Sequence, residues 1–250
     1  MDVCIFAHVQ NEPVTIICQR FCFGGLPDPR PNDASFLDLR PNDASFHGAW
    51  WRDCSRVTAT YDRNAAKRCF ISWPNDASSH TGLMEREGAS AYNTAVLIDR
   101  QGVLVGKYRK VYLPREEVEG GLTPGQSYPV FDTDFGRIGL VICWDIQYAD
   151  PARALALGGA ELIALPIAGG NLTLGHARAI ENHVFLVSSG YDYPTEIVDP
   201  DGKTVASAPE KPGVAAAGID LNHRYTEPWL GNMRDRFFSE LRADVPLTRR

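Results

Sequence analysis

The sequence predicts an α/β protein with a mixed sheet and helices covering it. A βαβ pattern lies within Gly139–Pro166, and such a crossover implies parallel pairing of its strands. Antiparallel hairpin signals precede and follow that unit. Strand and helix patterns then alternate toward the C-terminus, which selects this class over all-β or all-α architectures.

Taken in order, Tyr92–Asp99 ("YNTAVLID") reads as a strand, Arg100-Gln101-Gly102 as a turn, and Val103–Leu113 ("VLVGKYRKVYL") as a second strand. Together they form a hairpin. Val130–Cys143 holds two short strands joined around Gly136. Asp150-Pro151 supplies an N-cap and a proline at the first helical position, "ARALAL" has high helix propensity, and Gly158-Gly159 stops it. "AELIALPI" is the next buried strand, His176–His183 ("HARAIENH") a helix and "VFLVSSG" a strand. "TEIVDPDGKTVASA" is a hairpin whose tip, Asp199-Pro200-Asp201-Gly202, carries strong turn chemistry. "GVAAAGIDL" is a final strand before a tail containing Trp229, Phe237 and Phe238.

The chain of 250 residues, 44% hydrophobic, has the length and composition of a soluble globular protein. Its net charge of −6 gives no electrostatic reason to expect nucleic acid or an anionic membrane as partner. The longest apolar runs, such as Val14–Cys18, are too short to cross a bilayer, and "MDVCIFAHVQ" lacks the basic region of a signal peptide. A cytoplasmic location is therefore expected. The first 80 residues are atypical. Five of the six cysteines (Cys4, Cys18, Cys22, Cys54, Cys69) lie there, no glutamate occurs between Glu12 and Glu85, and "RPNDASF" appears twice. That content fits exposed turns, disorder or translation out of frame, within a single domain whose well-patterned part is 81–250.

Cys143 closes the apolar run Ile138–Ile142 where a strand turns toward a helix. Unpaired cysteines commonly serve as small apolar filler. The same position is where α/β sheets present reactive groups, and a nearby helix N-terminus favours thiolate. The following Trp144-Asp145 is a polar and aromatic break after the apolar run. In "KYRKVYLP" alternation puts Tyr108, Lys110 and Tyr112 on one face, and Arg109 and Val111 on the other. Lys110 on such a face is either a solvated edge or a site residue.

Four segments, "YNTAVLIDRQGVLVGKYRKVYLPREE", "FGRIGLVICWD", "ARALALGGAELIALP" and "ARAIEN", in this order and spacing, resemble the nitrilase superfamily of carbon–nitrogen hydrolases. The resemblance covers about Gly82 to Trp229. It implies a four-layer αββα sandwich that pairs into a homodimer, and hydrolysis of a small-molecule amide without cofactor or metal. It implies that Cys143 attacks the substrate carbonyl to give a thioester. Lys110 and the Trp144 N–H would stabilise the developing oxyanion. A second glutamate positions lysine and substrate; Glu117 is the choice for it, Glu116 the next, and Glu119 reads as solvated. Arg178, Glu181 and Asn182 brace the fold. Tyr148, Asn171 and Tyr191 are candidate pocket residues.

The resemblance also implies a general-base glutamate after an early strand, at about residues 30–45 here. Asp33, Asp38 and Asp43 are the acids in that stretch, and Asp38 is a short substitute. Glu12 lies too early, while Gln10 falls near the end of a family-like first strand. The alternative function is thus a catalytically silent homologue, acting by association or not at all. Loss of the first strands would expose apolar faces and lower solubility. A front metal site using Cys18, Cys22, His47, Cys54 or Cys69 lacks a second close pair of ligands. Serine-hydrolase and phosphate-loop motifs are absent.

Overall fold

The computed structural model describes residues 3–9, 14–20, 77–99, 103–209, 214–222, 225–240, 242 and 244–245. Strands β1 (Val3–Val9), β2 (Val14–Arg20), β3 (Ala77–Glu87), β4 (Ser90–Ile98) and β5 (Leu104–Arg109) share one sheet with β12 (Val214–Ile219). Their order is β12-β2-β1-β3-β4-β5, and every neighbouring pair is antiparallel. The expected loss of the first strands is therefore corrected, since β1 and β2 pair within this sheet.

The second sheet joins β6 (Val130–Asp132), β7 (Arg137–Leu140), β8 (Leu162–Ile167), β9 (Phe185–Gly190), β10 (Glu196–Val198) and β11 (Thr204–Ser207) in the order β11-β10-β9-β8-β7-β6. Its central pairs β7–β8 and β8–β9 are parallel and the outer pairs antiparallel, giving the mixed sheet expected from the crossover. Parallel strands are covered on both faces, and β8 and β9 are buried along their whole lengths.

Alternation along the strands builds the layers. Ala95, Leu97 and Tyr108 of the first sheet meet Leu140, Leu162, Ala164, Val187 and Ile197 of the second, forming one core between the sheets. Ile163, Leu165, Ile167 and Leu186 point the other way, against α2 (Asp150–Leu157) and α3 (Leu172–Asn182). Leu155 of α2 is fully buried and lies over Gly139, where an added Cβ would come 2.8 Å from its side chain. Three layers of the αββα sandwich are thus in place. The expected fourth layer and the expected turn at 100–102 fall outside the described residues.

Several boundaries differ from expectation. The chain makes a 3-10 turn, Cys143–Gln147, before α2 begins. The "REEVE" segment is the short helix α1 (Arg115–Glu119). Helix α3 starts four residues early because the Asn171 side chain caps it, accepting the Thr173 N–H at 2.9 Å. The carboxamide oxygen expected at a pocket is therefore spent on the backbone. Strand β12 is not the last: β13 (Thr226–Glu227), β14 (Gly231–Asn232) and α4 (Met233–Ser239) follow.

Candidate active site

Lys110 follows β5 directly. Tyr108, two residues earlier, faces the inter-sheet core, and Lys110 continues on that side with 1% of its surface exposed. A buried ammonium is costly without a partner. Lys110 Nζ donates to Glu117 Oε1 at 2.8 Å, and the same oxygen accepts from Asn93 Nδ2 at 2.9 Å. Glu117 Oε2 is buried and has no hydrogen-bond partner among the described residues. The backbone here is equally tied: Lys110 N–H donates to Asn93 O, and Lys110 O accepts from Gly125 N–H, both at 2.8 Å. Gly125 is required by this approach, because a Cβ there would sit 2.1 Å from the Arg109 carbonyl oxygen. Glu116 and Glu119 are exposed, and Glu119 pairs with Arg115.

Cys143 opens the 3-10 turn, half-buried and unpaired, with a φ of 45°. Residues other than glycine, which carry a Cβ, rarely adopt this left-handed region, and such strain collects at functional sites. The sharp turn lifts the residue off the end of β7, while its side chain packs against both cores. The first N–H groups of a helical turn have no acceptor within it, and Trp144 N–H belongs to this set. The Trp144 side chain is 39% exposed.

Asp145 lies at the centre of the described hydrogen-bond network. It is fully buried and accepts from the Tyr108 hydroxyl at 2.8 Å, Tyr112 N–H at 2.9 Å and Ile142 N–H at 2.9 Å. Burial pushes its carboxyl above the ordinary range, against the lowering effect of those donors and of the Lys110 charge. Burial, with the Asp145 charge next, likewise raises the Tyr108 phenol. At the far end of the turn, Arg178 Nε and Nη2 reach Ile146 O and Gln147 O at 3.3 and 3.4 Å. Arg178 Nη1 pairs with Glu181 at 2.9 Å, and Asn182 Nδ2 donates to Arg178 O. Tyr148 stacks on Tyr112 with centroids 3.8 Å apart, and Tyr191 is half-exposed.

Sequence reasoning missed Asn93, Tyr108 and Asp145. Alternation put Tyr108 on the Lys110 face, and the apolar run ended visibly at Asp145. The role of Asn93 depends on hairpin register, which no local signal reports. Gln10, Glu12, Asp33, Asp38 and Asp43 lie outside the described residues, as do Cys22, His47, Cys54 and Cys69. Among the described residues no group of three or more His, Cys, Asp or Glu side chains is placed to hold a metal.

Glu85 is a buried carboxylate on the wrong face to serve this site. It pairs with Tyr92 across β3–β4, on the face shared by Thr94 and Arg109, opposite to Ala95 and Tyr108. It accepts from Thr94, Lys107 and Arg109 at 2.8, 2.5 and 2.6 Å. Burial acts to raise its carboxyl, but the Arg109, Lys107 and Thr94 hydrogen bonds prevail and hold it at about 2. Arg109 also lies 3.9 Å from the centroid of the Tyr92 ring.

A family model described as carbon-nitrogen hydrolase matches residues 75–226. The chain belongs to this family. A deaminated glutathione amidase of Homo sapiens is 35% identical over 160 residues, 53% of this chain and 48% of that one. An omega-amidase NIT2 of Bos taurus is 30% identical over 192 residues, 65% of this chain and 67% of that one. The chain spans about half the length of the first curated relatives that it matches, 51% and 48%. Among solved structures, Saccharomyces cerevisiae Nit3, a member of branch 10 of the nitrilase superfamily, is similar with a TM-score of 0.50 and 27% identity. The match covers 67% of this chain and 63% of that one. The amidase of Nesterenkonia sp. AN1, in a mutant form showing Michael addition of acrylamide at its active-site cysteine, is 25% identical with a TM-score of 0.50. There 56% of this chain and 63% of that one are covered.

Proposed function

We propose that this chain hydrolyses the carbon–nitrogen bond of a small-molecule amide through a thioester on Cys143. The observation that carries the reading is Lys110: an ammonium 1% exposed, on the inter-sheet side, bound to a glutamate whose second oxygen is buried and has no partner among the described residues. A charge is kept in such a place when it has work to do on a developing anion. Cys143, held at positive φ at the end of β7, is the nucleophile on this reading. Its sulfur attacks the amide carbon, and the carbonyl oxygen takes the charge between Lys110 Nζ and Trp144 N–H. Collapse of the tetrahedral intermediate breaks the C–N bond, and the nitrogen leaves as ammonia or amine carrying the proton given up by the Cys143 thiol. Water then attacks the thioester and releases the acid. Glu117 Oε1 holds Lys110 in place, and Oε2 is the acceptor for the substrate's N–H. A homodimer in the cytoplasm belongs to the same reading.

An ammonia-release assay on a panel of small primary amides tests it. Activity is expected for the full chain, with Cys143→Ala and Lys110→Ala each reducing it by at least about 100-fold. No ammonia from any amide, together with alkylation of Cys143 at the rate of an ordinary thiol, overturns it in favour of the silent homologue.

A further inference from the structure

Asp145 makes no bond to substrate on the reading above, yet it joins the two parts of the site. Its Oδ2 accepts from the Tyr108 hydroxyl and from Ile142 N–H, and its Oδ1 from Tyr112 N–H. Tyr108 and Tyr112 stand two residues before and two after Lys110, and Ile142 stands one before Cys143. The Tyr108 oxygen in turn accepts Val111 N–H at 3.2 Å. Both flanks of the lysine therefore end on one carboxylate, which is itself the third residue of the cysteine's turn. A carboxylate serving only to cap that turn would need the Ile142 N–H alone. The strand donors come from 33 and 37 residues away, and their geometry holds only while the Lys110 segment and the Cys143 turn keep one relative placement.

We infer that Asp145, acting through the Tyr108 hydroxyl and Tyr112 N–H, is the positioning residue that fixes Lys110 relative to Cys143. The inference rests on Cys143 and Lys110 being the reacting pair. Reaction rates are steep in such placement, since a misplacement of about 1 Å costs on the order of 100-fold. Tyr108→Phe keeps the ring in the core and removes the hydroxyl, so it loosens the lysine segment from the turn without emptying the packing.

The test follows two readouts on the full chain. One is kcat and KM for ammonia release. The other is the rate of Cys143 alkylation by iodoacetamide at fixed pH, read on the Cys143 peptide by mass spectrometry so that the other cysteines do not contribute. A neighbouring ammonium favours thiolate and speeds alkylation. Tyr108→Phe is expected to slow alkylation about threefold to tenfold and to lower kcat about tenfold with KM nearly unchanged. In a Lys110→Ala background it should add less than about twofold, because the group it positions is gone. Asp145→Asn supplies a second arm: it keeps an acceptor for Tyr108 and Ile142 but turns an N–H toward Tyr112 N–H, and should show the same background dependence. Equal slowing in both backgrounds, or none in either, overturns the inference. Background-dependent alkylation in a chain that releases no ammonia would sustain the positioning role while ending the amidase reading.

Discussion

At the ion pair Lys110–Glu117, one carboxylate oxygen carries two donors and the other none among the described residues. Glu117→Gln keeps the shape but leaves a buried ammonium beside a neutral amide, which is strongly unfavourable. The expected outcome is a loss of about 100-fold or more in kcat/KM, measured by ammonia release, with the far-UV circular dichroism of the parent. The Lys110–Glu117 pair was legible because both residues sit in a segment whose pattern is itself distinctive, as does Cys143, the proposed nucleophile. Asp145 was half legible, as the place where an apolar run breaks. Asn93 was not, because its bond to Glu117 arises only once β4 and β5 are in register.

Among the elements, the β3–β5 portion of the first sheet carries an ionic knot on its outer face, with Glu85 under Lys107 and Arg109. The Glu85 carboxyl is held at about 2, below its ordinary 4.5. A depressed carboxyl contributes stability that is fully present above the unfolded value and is lost as pH falls through the folded one. Stability toward denaturant should therefore fall as pH drops from about 4.5 to 2, and Glu85→Gln should flatten that slope. Gly125 fixes the loop over the end of β5, through its N–H to Lys110 O. Gly125→Ala drives a methyl into the Arg109 carbonyl, and a fall in kcat at least as large as the loss of stability is expected from kinetics paired with a melt. Alternation made the β4–β5 hairpin readable from the sequence. The 3-10 turn and α1 were not readable, since five residues are too few to show a helical period. The composition of the front hid β2, whose pairing is a matter of partners elsewhere in the chain, while β1 is the family-like first strand that ends before Gln10.

For the whole molecule, the sandwich depends on helices seated against the second sheet. Leu155 is fully buried over Gly139, on the strand β7 that leads into the cysteine's turn. Leu155→Ala should cost about 2–5 kcal/mol by urea unfolding, while a conservative Leu155→Met should cost less than about 1.5. The mixed sheet was legible because β7, α2, β8, α3 and β9 follow one another along the chain. The antiparallel sheet was not, because β12 closes onto β2 from the opposite end of the sequence. That closure sets an order of events during synthesis. The strands β6 to β11 emerge together and have all their partners by Ser207. Strand β2 presents a bare hydrogen-bonding edge until Val214–Ile219 leaves the ribosome, so nascent chains halted short of that point are the ones most exposed to intermolecular strand addition.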